Sequence, residues 1–400
     1  MELGPIAKTL IRNKIRFLLI GLEVSLTLAI VLNCINMMQD LQWQIDRPTG
    51  LDEEGIIVVR SRPFSQDFRE EGYLENSRKA DLELMRNLPG VLAADTFSHV
   101  PLSGSGSSSG YKPLGAERHT LNCNYFVTGP SGVDTLGVQL IAGRNLTLDD
   151  ITEAESKNVL ITKAYADSLF PDGDALGKQI QGRTAENPDT IVGIIEQMHG
   201  SWPSWPFVNN VMIRPGETGS VNWGITYMVR AKPAQINGLA RTLEEELLKL
   251  NDGRNVRTET LAEVKADTLG TNTAIIKMLA VVIVLLLLVT ALGIVGMTSF
   301  SVTERTHHIG TRRALGARQV DIMRYFLTEN WVITTSGILV GVGLAYTLNY
   351  ALVTFVNGVK LEWPLVIYGI LGMWIIGQTA AFIPAWRGAR ISPAVATRTV

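Results

Sequence analysis

The sequence predicts an α-helical membrane protein with four transmembrane helices and an α+β domain inserted between the first and second. Three observations carry that prediction. Four long apolar runs occur near Phe17–Met38, Ile275–Phe300, Val332–Val356 and Pro364–Ala385. Each holds roughly 22–26 residues, enough to cross a hydrocarbon core of about 30 Å at 1.5 Å per residue. Roughly 230 mostly polar residues separate the first run from the other three, long enough to bury a core of their own. Finally, the basic residues gather at particular links between the runs.

The first run follows Lys8, Arg12, Lys14 and Arg16. It is longer than the apolar stretch of a cleavable signal, and Asn36–Asp40 offers no small-residue cleavage site, so it reads as a retained span. Arg305, Arg312, Arg313, Arg318 and Arg324 lie between the second and third runs, and Arg387, Arg390 and Arg398 follow the fourth. The short link Asn357–Trp363 sets only Lys360 against Glu362. The positive-inside rule then puts both termini and the 301–331 loop in the cytoplasm, and the insert and the 357–363 link outside. Trp331, Trp363 and Trp386 stand at span ends, where amphipathic rings favour the interface.

The expected organisation is a cytoplasmic segment 1–16, a span 17–38, an exported domain 39–272, a span 273–300, a cytoplasmic loop 301–331, spans 332–356 and 364–386, and a tail 387–400. The net charge of −2 with 18% charged residues gives no basic face for nucleic acid. Cys34 lies in the first run and Cys123 is alone in the insert, so no disulfide forms within the insert. There is no CxxC and no Cys/His cluster with zinc spacing.

Within the insert, Gly55–Arg60 reads as a strand, Ser77–Leu88 as a helix and Val91–Phe97 as a strand. Pro101–Gly110, rich in Ser and Gly, reads as a mobile linker. Leu136–Arg144 reads as a short strand and turn, Asn158–Thr162 as a strand, Lys163–Phe170 as a helix, Pro171–Gly177 as a turn and Thr190–Ile195 as a strand. Ile225–Ala231 reads as a strand and Pro233–Leu250 as an amphipathic helix. The layout is two βαβ pieces, near 51–98 and 222–262, with a mainly β lobe at 100–215 between them.

Gly173–Lys178 has the wrong glycine spacing for a P-loop, and no Ser or Thr follows the lysine. His307 and His308 are adjacent and point to different sides of a helix, which argues against a metal pair. Glu23 sits about two turns into the first span. It reads either as a carboxylate snorkelling toward Lys14 and Arg16, which is favoured, or as a contact within a dimer or coupling element. Gly337, Gly341 and Gly343 mark close helix packing in span three. The aromatic stretch Trp202–Phe207 reads as a buried corner or as an exposed patch for an adaptor or substrate, with burial favoured.

Residues 301–317 read Ser-Val-Thr-Glu-Arg-Thr-His-His-Ile-Gly-Thr-Arg-Arg-Ala-Leu-Gly-Ala. This resembles the stretch that follows the second span in the FtsX/MacB family of ABC-transporter permeases, and the likeness continues through Asp321, Ile322 and Glu329. Segments 136–144, 161–180 and 190–195 resemble the MacB-type periplasmic core, and 384–398 resembles the family's closing segment. His308 departs from the pattern, which usually has Glu there.

The resemblance implies a porter-like periplasmic lobe and a bacterial inner-membrane location; MacB-type members carry a fused nucleotide-binding domain, and this sequence departs from them in showing none. It implies a cytoplasmic ABC ATPase subunit that carries the ATP and Mg, with no cofactor in this chain, and a second permease chain, either identical or different. A periplasmic adaptor is a further implied partner, and membrane lipid surrounds the spans. ATP-driven closure of the ATPases would pass along spans one and two into the periplasmic domain, so the chain itself is not an enzyme. Glu304–Leu327 reads as helical, broken at Gly310 and Gly316. Charge alone leaves this segment equally readable as a lipid-facing basic helix or as a partner-docking helix. The resemblance favours coupling through Glu304, Arg305, Ile309, Gly310, Arg312, Arg313, Ala314, Leu315 and Gly316, with Arg305, Arg312 and Arg313 meeting acidic groups on the ATPase. The expected function is export or extraction of a periplasmic substrate by a MacB-type permease. The alternative is an FtsX-like transducer that regulates a periplasmic hydrolase without transport.

Overall fold

The computed structural model describes residues 14–117, 120–152, 157–182, 188–356 and 358–392. Lys8, Arg12 and residues 393–398 of the closing segment lie outside the described residues. The chain divides into two compact units, Asp46–Thr271 and a membrane unit of Met1–Ile45 with Asn272–Val400.

In the insert, β1 (Ile56–Pro63), β2 (Val91–Phe97), β10 (Ile225–Ala231) and β11 (Arg254–Thr260) form one region of sheet, with helices α1 (Tyr73–Asn87) and α2 (Ile236–Leu250) packed on it. The strand order is β11-β1-β10-β2 and every pairing is antiparallel. Each helix therefore joins two parallel strands separated by a third, which makes two interleaved split βαβ units, a ferredoxin-like arrangement. β1 is buried on both faces. Ile57 and Val59 meet Leu239, Leu243 and Leu247 of α2, while Ile56 and Val58 meet Phe97, Phe126 and Leu261 on the other side. That double burial explains why Ile56–Val59 is continuously apolar rather than alternating.

A fully buried ion pair ties this lobe together. Arg254 on β11 grips Asp81 on α1, with Nη2 to Oδ1 at 2.8 Å, and donates to the carbonyl of Leu247 at 2.8 Å. The Tyr227 hydroxyl on β10 donates to the same carboxylate at 2.6 Å. Four elements thus share one satisfied polar cluster, as a buried charge requires.

The second region of sheet contains β3 (Ser107–Pro113), β4 (Leu121–Thr128), β5 (Leu140–Gly143), β6 (Asn158–Thr162), β7 (Gln179–Gly182), β8 (Asp189–Ile195) and β9 (Val211–Pro215). It joins the first through a single pair, Phe97 opposite Thr128. Its core holds Cys123, Val159, Ile161, Tyr165, Leu169, Ile191 and Met212. Burial pushes the Cys123 thiol up to about 12.

Two expectations for the insert need correction. The Ser-rich stretch 101–110 is not all linker, because Ser107–Gly110 enters β3 and pairs with Asn122–Tyr125 of β4. Leu136 ends a short helix, Gly132–Leu136, rather than starting a strand, and Gly137 at φ 70 turns the chain before β5. Trp202–Phe207 is divided: Pro203 is buried, Trp202 and Trp205 are half-buried with rings 4.7 Å apart, and Phe207 is exposed.

Among the described residues, four helices are long and apolar enough to cross a membrane. Span one is Lys14–Asp46, span two Gly270–Glu304, span three Gln319–Val356 and span four Trp363–Ala389. Half of the apolar window of span one is buried within the unit, against 11% of span two. Span one is the central helix. It meets span three where Gly337 and Gly341, four residues apart, remove two side chains: a Cβ at Gly337 would lie 2.9 Å from Val24, and one at Gly341 would lie 3.0 Å from the Ser25 backbone. Gly343, expected to share this role, faces open space.

Polar side chains pin the spans. Thr27 and Thr290 share a hydrogen bond of 2.8 Å between spans one and two. Asn33 donates to the carbonyl of Ala345 at 3.1 Å, and Asn330 to that of Gly377 at 2.9 Å. Glu23 lies in the seam with span two, where a Cβ at Gly293 would come within 2.5 Å of its carboxylate. The carboxylate thus has a neighbour within its own chain.

Candidate functional site

The candidate site is the 305–331 segment, which comprises the 305–318 link between spans two and three and the first turns of span three. Span two ends at Glu304, and Arg305 leaves helical geometry at φ −103, ψ 13. The chain turns there into a nine-residue link helix, Thr306–Ala314. Gly316 at φ +100 closes the next turn, a conformation that L side chains rarely adopt. Asp321 then accepts a hydrogen bond from the Arg318 N–H at 3.0 Å, at the start of span three. The expected helix break at Gly310 does not occur. Gly310 is buried inside the link helix, and the breaks fall at Arg305 and at 315–318.

The link helix is fastened at two places. Ile309 joins Val302, Ile322, Phe326, Ala385 and Ala389 in a small core under the ends of spans two, three and four. Span four approaches closely there, since a Cβ at Gly388 would lie 2.8 Å from Val302. The Arg305 guanidinium forms a two-pronged pair with Glu329 of span three, at 2.9 and 3.0 Å, and also donates to the Tyr325 hydroxyl at 3.3 Å. Burial disfavours the Arg305 charge, but the Glu329 carboxylate outweighs that and raises its pKa above the ordinary value.

The structure therefore sorts the nine expected residues into three sets. Arg305, Ile309 and Gly310 face inward and hold the segment together. Arg305, expected to reach another protein, is committed to Glu329. Arg313 is half-buried and donates to the carbonyl of Ala317 at 3.4 Å, which closes the turn. Glu304, Arg312, Ala314, Leu315 and Gly316 are exposed. Leu315 is 84% exposed at the tip of the turn, and Val320 beside it is also exposed. The guanidinium of Arg312 lies 5.5 Å from the Tyr325 ring. Ile322 and Phe326 are buried in the small core. Sequence reasoning did not find the roles of Tyr325 and Glu329, because the pairing spans 24 residues across a turn.

The arrangement is a rigid knob: an exposed leucine on a tight turn, braced by an ion pair and a core that reach three spans.

Comparison with known proteins identifies the family of the chain. Residues 22–246 match the family model of the MacB-like periplasmic core domain, and residues 280–393 that of the FtsX-like permease C-terminal domain. The macrolide export ATP-binding/permease protein MacB of Chromobacterium violaceum is 26% identical over 399 residues, 95% of this chain. The protein of the same name from Vibrio parahaemolyticus is 33% identical over 280 residues, 63% of this chain and 40% of that protein. The chain spans 58% of the length of the C. violaceum relative. The crystal structure of the periplasmic region of MacB from Actinobacillus actinomycetemcomitans aligns with 55% of this chain and 94% of its own, at 15% identity and a TM-score of 0.37.

Proposed function

We propose a function on the premise that this chain belongs to the family of permeases that join a MacB-like periplasmic core domain to an FtsX-like permease domain. It is a membrane protein with a periplasmic domain. In the proposed reading it is the transmembrane subunit of a MacB-type ABC transporter in the bacterial inner membrane. A separate cytoplasmic ATPase binds and hydrolyses ATP with Mg. Its closure pushes on the 305–331 knob, and spans one and two carry the motion into the periplasmic domain for export or extraction of a periplasmic substrate. The relatives' names, which speak of macrolide export and of ATP-binding/permease proteins, are consistent with this reading.

The observation that carries it is the pairing of an exposed tip with a braced base. Leu315 offers an apolar anchor beside Arg312, and such anchors in a polar rim are what a seated partner uses. The Arg305–Glu329 pair and the small core make the knob move as one body with spans two to four. The bare faces of span two, only 11% buried, leave room for a second permease chain beside this one.

The test is the ATPase rate of the partner subunit with the permease reconstituted beside it. Leu315→Asp, and charge reversal at Arg312 and Arg313, are each expected to lower permease-stimulated hydrolysis by about tenfold, a loss of ~1.4 kcal/mol in coupling, with membrane insertion intact. Stimulation equal to that of the unaltered permease in both variants refutes the coupling role.

A further inference from the structure

A cavity of about 350 Å³ opens at the other end of the membrane unit, between the ends of spans one and four and the link that precedes span four. Asn36, Asp40 and Trp43 line it from span one, Lys360 and Glu362 from the link, and Tyr368 from span four. We propose that this cavity binds the headgroup of an amine-bearing zwitterionic phospholipid, such as phosphatidylethanolamine, in the leaflet at this end. The proposed topology makes that leaflet the outer one.

The site is built before any ligand arrives. Asn349, buried in span three, donates to the carbonyl of Val359 at 3.0 Å and accepts from the Leu361 N–H at 2.9 Å. Asn36 donates to the same Val359 carbonyl at 2.9 Å. The backbone is thus clamped on both sides of Lys360. Asn33 in turn accepts from Asn349 at 3.1 Å, so the clamp is anchored within the bundle. Gln44 donates to the Asp40 carboxylate at 2.9 Å and orients it. A pocket with fixed walls loses less entropy when it fills.

Its chemistry selects the ligand. Two carboxylates and one ammonium line the walls, a net charge of −1. An ammonium headgroup satisfies Asp40 and Glu362, and its phosphate meets Lys360. The aromatic side chains of Trp43, 60% exposed, and Tyr368, 71% exposed, add faces that attract a cation. An anionic headgroup with no amine places its charge beside two carboxylates and is disfavoured. The cavity lies at the small end of the range for ligand sites, about 300–1,000 Å³, which suits a headgroup whose acyl chains remain in the bilayer. Trp43 and Tyr368 lie near the ends of the helices of spans one and four, where such rings favour the interface. Because the site joins spans one and four, its occupant would tether the end of span one that leads into the insert.

The test uses the full chain alone in detergent, with no ATPase, so it is independent of the coupling experiment. Native mass spectrometry with equimolar phosphatidylethanolamine and phosphatidylglycerol is expected to show about tenfold preferential retention of the ethanolamine lipid. The double variant Asp40→Asn/Glu362→Gln is expected to bring that preference below about twofold. Equal retention of the two lipids by the unaltered protein, or an unchanged preference in the double variant, overturns the proposal. Soluble O-phosphoethanolamine in excess is expected not to displace the lipid; displacement would overturn the lipid as the source of the amine. Should the double variant fail to fold, the unaltered protein still decides. The fluorescence difference between it and Trp43→Phe isolates Trp43. Brominated-chain phosphatidylethanolamine is expected to quench that signal at least twofold more than the brominated glycerol lipid. Equal quenching would count against the site.

Discussion

Arg305 and Glu329 join the end of span two to the first turns of span three through two parallel hydrogen bonds, 2.9 and 3.0 Å long. Both side chains are largely sequestered, at 16% and 10% exposed. A parallel fork of this kind fixes direction as well as distance between its two partners.

Breaking that pair leaves one partner uncompensated. Glu329→Ala is expected to cost about 2 kcal/mol, between the values for exposed and fully buried pairs. Thermal unfolding of the full chain in detergent checks it. The swap Arg305→Glu/Glu329→Arg is expected to recover part of the loss, and no recovery would mean that packing alone holds the segment.

Gly337 and Gly341 let span one and span three touch through backbone. Gly341→Leu is expected to push them apart and cost about 2 kcal/mol or more, as overpacking does. Gly343→Leu, which faces open space, is expected to be tolerated. Similar melting temperatures for the two variants would contradict the packing described.

His199 gives the insert a pH dependence. It is 1% exposed, and its backbone N–H donates to the carbonyl of Thr49 at 2.9 Å. Burial, with Arg47 and Lys265 nearby, lowers its pKa to about 4. The folded-state value lies below the ordinary 6.5, so the unfolded chain takes up a proton first as pH falls. Stability is full well above pH 6.5 and declines between about 6.5 and 4. At pH 5 the loss from this residue amounts to about 2 kcal/mol. His199→Gln is expected to flatten that part of the profile, measured by urea unfolding at pH 7.5 and pH 5. Parallel profiles for the two proteins would rule the residue out as the cause.

Asp81 carries the buried cluster of the ferredoxin-like lobe. Asp81→Ala strands the Arg254 charge and is expected to cost about 3–5 kcal/mol. Tyr227→Phe removes one neutral partner and is expected to cost about 1–2 kcal/mol. Limited proteolysis of the full chain reads both, and cleavage within 46–271 should rise far more for the first.

Much of the fold was legible in the residues. Asn158–Thr162 and Ile225–Ala231 were read as strands at their observed limits, because apolar runs bounded by polar and turn residues leave little choice. The Ser-rich start of β3 was read as linker, because its place in the sheet comes from pairing with β4 and β7 and not from side chains that prefer strands. Gly310 looked like a helix breaker, but its buried place inside the link helix overrides a propensity of about 1 kcal/mol. At the candidate site, composition marked the segment but not the direction of each side chain. Ile309 and Leu315 are equally apolar, yet one is in the core and the other is at the tip.

By itself, the sequence determined the number of spans, the place of the insert and the existence of two βαβ pieces, while their interleaving in one sheet came from the structure. A bilayer forces each crossing to satisfy its own backbone within one continuous apolar run, so that information is local. Only the tertiary structure decided that Arg305 belongs to Glu329, that Leu315 is left outside and that Asn349 holds the link around Lys360. Those outcomes depend on contacts between residues far apart in the chain, and charge or hydropathy at one position carries no record of which distant group will meet it.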